Sequence, residues 1–163
     1  MRQNIVRHGT FYLAESKLVM PFSTEIDQAI IDCFTGKNDA FNKPAAIFCG
    51  FSSTTPTKAG GNVTEPTLGG YIRKQITAAN FAAAADSGGT QTVTANTAAC
   101  TFDVASVDWH ATNANMTHLV LYTAATAGTF IGFKSLTTPK PVLAGDTASI
   151  AIGDLDIVLG GTF

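Results

Sequence analysis

The stretch from Thr117 to Leu159, THLVLYTAATAGTFIGFKSLTTPKPVLAGDTASIAIGDLDIVL, alternates short β-type runs with turn residues and holds almost no ionisable chemistry. Leu119 and Leu121 alternate with Val120 and Tyr122. Ala148, Ile150 and Ile152 alternate with Thr147, Ser149 and Ala151, and Leu155, Ile157 and Leu159 with Asp156 and Val158. A period of two is that of a strand, whose successive side chains point to opposite faces of a sheet. Between the runs stand Ala144-Gly145-Asp146 and Gly153-Asp154. Gly there supplies the positive φ of a tight turn, and Asp bonds nearby backbone. The C-terminal third is expected to be antiparallel scaffold.

Upstream, Ser23-Thr24 precedes Glu25-Ile26-Asp27, so that a hydroxyl can cap free amides and acidic residues occupy the first turn. Ile26, Ile30, Ile31 and Phe34 fall on one helical face and Gly36 supplies a stop, predicting a short amphipathic helix from about Glu25 to Thr35. Ala45 to Phe51 has strand length, with Ile47, Cys49 and Phe51 on its buried face. Ser52 to Gly70 carries Pro56, Gly60-Gly61 and Pro66, which deny it a long regular element; loops of this length are often functional or pinned by a partner. Tyr71 to Thr77 reads as a strand, and Ala78 to Asp86 as irregular structure ending in a β-element. Gln91 to Thr94 and Ala98 to Val104 are weaker strands, and Ser106 to Asn115 is another loop. About eight strands result, the number of a β-sandwich or jelly roll. The expected organisation is an all-β domain over residues 23–163 with one N-terminal helix, preceded by an extended arm over residues 1–22.

Composition points the same way. The 163 residues are 45% hydrophobic and 13% charged, about half the usual charged fraction of roughly 25%. A chain of this length buries about 70% of its unfolded surface and can build one core. Abundant Thr, Ser, Asn and Gly hydrate strands without the desolvation cost that ionised groups impose when subunits meet. A net charge of −2 argues against a nucleic-acid partner, which needs a concentrated cationic surface. Arg73 and Lys74 take opposite faces of a strand and make no such patch. No segment reaches the roughly 18 to 20 apolar residues of a membrane span, and Met1 to Lys17 has Arg, His, Glu and Lys where a signal peptide needs an apolar run. Cytoplasmic synthesis in a reducing compartment is expected. Cys33, Cys49 and Cys100 are too few for a disulfide scaffold and too far apart for a zinc finger, and read as free thiols packed as small hydrophobes.

No catalytic residue, cofactor or metal site is expected. Asp108, His110 and His118 beside Trp109 are the best acid–base candidates, but Trp109 as a plug at one end of the sandwich and His118 as a structural hydrogen-bonding residue explain them better. A metal held by Asp103, His110 and His118 lacks the close ligand pair such sites use. Asp154 and Asp156 read as a turn residue followed by an exposed strand residue. There is no Gly-x-Ser-x-Gly elbow and no phosphate-binding Gly-x-x-x-x-Gly-Lys sequence.

The segments Gly69 to Ile76, Asn80 to Ala85, Asp108 to Trp109, Thr117 to Tyr122, Leu136 to Asp146 and Gly153 to Leu159, and more weakly Ile26 to Phe34, together resemble a family of small structural proteins of tailed bacteriophages. The chain departs from that pattern at Trp109-His110 and in its longer lead, Met1 to Pro21. Members are labelled head-decoration or tail-fibre proteins, so the resemblance implies a non-enzymatic virion component. Two readings follow. As a capsid decoration or cement protein on the head surface, it would bind the major capsid protein and copies of itself, as a dimer or trimer. Its arm residues Ile5, Val6, Phe11, Tyr12, Leu13, Leu18, Val19 and Met20 would then lie across the shell. As a tail-fibre or receptor-binding component, it would hold a host ligand on the loops Ser52 to Gly70 and Ser106 to Asn115, where Asp108, Trp109 and His110 form the candidate binding loop and Trp109 stacks on the ligand. The absence of heptads for a stalk tilts the sequence reading toward decoration.

Overall fold

The computed structural model describes residues 10–12, 18–20, 22–37, 43–89 and 91–160. These form β1 (Thr10–Tyr12), β2 (Leu18–Met20), α1 (Thr24–Phe34), β3 (Ile47–Ser52), β4 (Lys74–Ile76), β5 (Ala85–Ser87), β6 (Gln91–Ala95), β7 (Cys100–Thr101), β8 (Met116–Tyr122), β9 (Phe130–Lys140), β10 (Thr147–Ile150) and β11 (Leu155–Gly160). The first sheet has the order β1-β10-β7, the second β2-β11-β6-β5 and the third β4-β3-β8-β9. Pairing is antiparallel except where β1 and β2 run parallel to β10 and β11. The all-β sandwich class with one short helix stands as expected, while the finer jelly-roll expectation finds no support in these strand orders.

Ser23 caps α1, its hydroxyl accepting from Ile26 N, with Glu25 and Asp27 in the first turn. The helix does not bury its apolar stripe: none of its residues is buried, Phe34 is 92% exposed, and Ile31 is exposed as well. An amphipathic pattern fixes which residues share a face, but not that a neighbour covers it.

β3 and β8 are the central strands of the third sheet, and this explains why simple alternation fails along them. On one face, Cys49, Phe51, Leu119 and Leu121 join the main core with Phe102, Trp109, Met116, Ile150 and Leu155. On the other face, Val120, Tyr122 and Phe130 form a second cluster against Val63 and Phe133. Val63 belongs to the long loop after β3, so that loop is a lid on the sheet. It is fixed by its own hydrogen bonds: Thr54 Oγ1 donates to Asn62 O at 2.6 Å, Asn62 Nδ2 to Thr55 O at 2.8 Å, and Ser53 N to Thr64 O at 2.9 Å.

β11 corrects one expectation. Leu159 is exposed, whereas Asp156, expected on the solvent face, is fully buried beside Leu155. In register, β11 lies between β2 and β6, with Asp156 opposite Val19 on one side and Ala95 on the other. Asp154 sits near Asp156, and partial burial followed by that second carboxylate raises its pKa.

Candidate functional site

Two regions gather the polar and aromatic side chains, and Tyr71 belongs to both. The first is the pole formed by the loops around Gly69, Ala105 and Asp146. Ser106 N donates to Gly69 O at 3.1 Å, Ala105 N to Asp146 O at 2.9 Å, Gly145 N to Ala105 O at 2.7 Å, and Trp109 N to Val142 O at 3.0 Å. Asp108 Oδ1 accepts from Ala144 N at 2.7 Å, and Asp146 Oδ2 from Leu143 N at 3.0 Å. Aspartates in these loops therefore hold backbone, as short polar side chains do in turns. The same loops carry Leu68, Val104, Val107 and Leu143, all exposed, with exposed Ile72 nearby in sequence.

Trp109 does not belong to that exposed set. It is 1% exposed and packs against Phe51, Phe102 and Tyr71, with ring centroids 5.9, 5.6 and 4.9 Å away. Stacking on an external ligand is therefore corrected to a core plug: its faces are already covered. Gly69 permits the closure. Its φ is +68°, and a Cβ there would lie 2.4 Å from Val107 O and 2.7 Å from Trp109 Cδ1.

The second region is a cleft of about 420 Å³ lined by Glu65, Pro66, Tyr71, Ile72, Arg73 and the turn Ala125 to Ala127. Arg73 Nη2 meets Glu65 Oε2 at 2.6 Å, and Nε donates to both carboxylate oxygens at 3.0 and 3.1 Å. Its Nη1 donates to Ala124 O at 3.1 Å and Ala127 O at 2.7 Å, while the guanidinium lies 3.4 Å above the Tyr122 ring. Tyr71 Oη donates to Glu65 Oε1 at 2.7 Å and accepts from Phe51 N at 2.9 Å. Burial, then the Glu65 carboxylate, pushes the Tyr71 hydroxyl far above its ordinary pKa. Burial pulls the Arg73 guanidinium down, but Glu65 outweighs it and the net direction is upward. Since most of its N–H groups are engaged, Arg73, the residue directly before β4, acts as a strut to the β8–β9 turn; the cleft is a shaped wall with its polar atoms largely committed.

The acid–base candidates are not joined by hydrogen bonds. Asp108 holds Ala144, Asp103 Oδ2 pairs with Lys74 Nζ at 2.7 Å, and His118 is bonded through Nδ1 to Thr117 Oγ1 at 2.8 Å and through Nε2 to Ser135 Oγ at 3.1 Å. Among the described residues no group of three His, Cys, Asp or Glu side chains is placed to hold a metal, and no helix is long and apolar enough to cross a membrane. Phe11 and Tyr12 lie on β1, and Leu18, Val19 and Met20 on β2, so these arm candidates have backbone partners on β10 and β11. Ile5, Val6 and Leu13 lie outside the described residues.

Burial lowers the pKa of His118 below its ordinary 6.5. The unfolded chain then binds more protons than the folded one between the two values, so stability is fully present above pH 6.5 and falls as pH drops below it. Urea unfolding between pH 7.5 and 5 is expected to lose less stability in His118→Gln than in the parent. An equal loss in both would assign the acid sensitivity elsewhere.

The sequence missed the Glu65–Arg73 strut. Its available signal was Gly50 inside a strand, a mark of close approach: a Cβ there would lie 2.6 Å from both Glu65 Oε1 and Tyr71 Oη. The β-rich domain with hydrogen-bonded loops at one pole is that of a tailed-phage virion structural protein. Residues 21–158 match the family described as podophage GP4 fiber I protein gp80, and the chain belongs to that family. Among curated proteins no match was found.

Proposed function

We propose that the protein is a tail-fibre component that acts by binding a host-surface ligand, without catalysis, and works as an assembly of identical copies. The observation that carries this reading is the match of residues 21–158 to a family described as fibre protein; the head-decoration reading has no comparable support. The contact surface in this reading is the pole bearing Leu68, Val104, Val107 and Leu143. Hydrogen bonds between its loops hold the shape before a ligand arrives, which cuts the ordering cost of binding, and its exposed aliphatic side chains supply area to bury.

Copy number per virion, measured by quantitative mass spectrometry against the major capsid protein, should be one to two orders of magnitude below the shell subunit. A ratio near one would return the protein to the capsid surface. Phage carrying Val104→Asp and Val107→Asp together should adsorb to host cells at least tenfold less well while the isolated variant keeps its unfolding midpoint. Unchanged adsorption would remove the pole as the binding surface.

A further inference from the structure

The three cysteines differ sharply in placement. Cys33 is exposed on α1, whereas Cys49 and Cys100 are buried in the same core cluster. Cys49 lies on β3 of the third sheet, opposite Lys74 of β4 and Leu121 of β8; Cys100 lies on β7 of the first sheet, opposite Ile150 of β10. Both thiols lie in the core cluster these sheets share, close enough for Cys49 to donate a hydrogen bond to a Cys100 thiolate. A separate contact fixes the alignment: Lys74, the partner of Cys49 in register, reaches across to Asp103, three residues beyond Cys100, with Nζ 2.7 Å from Oδ2.

We propose that Cys49 and Cys100 form a redox-active pair that closes to an inter-sheet disulfide when the virion leaves the reducing host cell and meets small-molecule disulfides. The order of attack follows from the surroundings. The hydrogen bond from Cys49 favours a thiolate at Cys100 against the opposing effect of burial, and the Lys74 ammonium adds to it; burial, and then Cys100, hold Cys49 protonated. The Cys100 thiolate attacks one sulfur of the external disulfide, forming a mixed disulfide and releasing one small thiolate. Cys49 then loses its proton and attacks the Cys100 sulfur, releasing the second thiolate. The protein dithiol is oxidised by two electrons, one external disulfide is reduced to two thiols, and the protein loses two hydrogens.

Access comes through β7. This strand has two residues and lies at the edge of a three-stranded sheet, paired among the described residues with β10 alone. Short edge pairing opens locally at a small fraction of the cost of global unfolding. Closing the bond would tie the first sheet to the third across the core and restrict the unfolded chain over the span from residue 49 to residue 100.

The test uses the full chain carrying Cys33→Ser, which removes the exposed thiol and leaves both core cysteines intact. After incubation with oxidised glutathione under native conditions, intact-mass spectrometry should show a loss of two hydrogens. Peptide mapping should find Cys49 linked to Cys100, and the thermal midpoint should rise by roughly 5–10 °C. Dithiothreitol should reverse both the mass change and the rise. An unchanged mass, a persistent single glutathione adduct, or a disulfide formed only at denaturant concentrations that unfold the whole domain would each overturn the proposal.

Discussion

Replacing Trp109 with Ala is expected to destabilise the domain by about 3–5 kcal/mol, the range for removing a large aromatic from a packed core. In a chain of this size, that corresponds to a drop of roughly 10 °C or more in the thermal midpoint. The size of the effect follows from the surroundings: Phe51, Phe102 and Tyr71 pack around the indole, and Gly69 closes the loop over its edge. Those neighbours come from a central strand and loop backbones tied to one another, so they can collapse only partly into the space. Urea unfolding of the isolated variant measures the loss, and adsorption of phage carrying it measures function. A ligand-stacking tryptophan would give the opposite pattern, with unchanged stability and lost adsorption.

That contrast marks where sequence reading stops. Ser23, Glu25, Asp27 and Gly36 place a helix because caps and first-turn charges act within a few residues, and α1 lies over Thr24–Phe34 as those signals require. Gly145 and Gly153 mark turns for the same local reason, and both have positive φ. The loop from Ser52 to Gly70, the irregular stretch after Ile76 and the loop before Met116 are likewise legible, since Pro, Gly and Asn restrict backbone conformation wherever they stand. Burial is different because it depends on neighbours far away in the chain. Alternation along Leu155 to Leu159 assigns Asp156 to solvent, yet the folded chain buries it completely, in a strand paired with β2 from well over a hundred residues earlier. Trp109 was legible as a plug or as a platform; only the arrival of Phe51 and Tyr71 decides between them. Ile31 and Phe34 of α1 show the converse, the part of an amphipathic face that the described residues of the same chain leave exposed while Ile26 and Ile30 are partly buried.

The Glu65–Arg73 strut was hidden for a third reason: neither residue forms a motif, and they stand eight positions apart in the connection between β3 and β4. Glu65→Ala is expected to cost about 2–4 kcal/mol. The carboxylate side chain is 20% exposed and the guanidinium 10%, so the effect falls somewhat below that of a fully enclosed pair, but its removal leaves Arg73 charged in a site water reaches poorly. The loss spreads beyond one ion pair, because Glu65 also holds the Tyr71 hydroxyl, and Arg73 ties Ala124 and Ala127 to the segment leading into β4. Adding Arg73→Met to Glu65→Ala should recover part of the stability, since an apolar side chain carries no uncompensated charge into the same space. Gly50→Ala approaches the network from below and should cost about 1–3 kcal/mol. Its Cβ would meet Glu65 Oε1 and Tyr71 Oη at 2.6 Å, and both atoms are anchored by hydrogen bonds that must stretch to admit it. In the Glu65→Ala background one of those obstacles is gone, so the cost of Gly50→Ala should shrink there. Simple additivity, measured by urea unfolding of the four variants in that cycle, would show that Gly50 is small for some reason other than the strut.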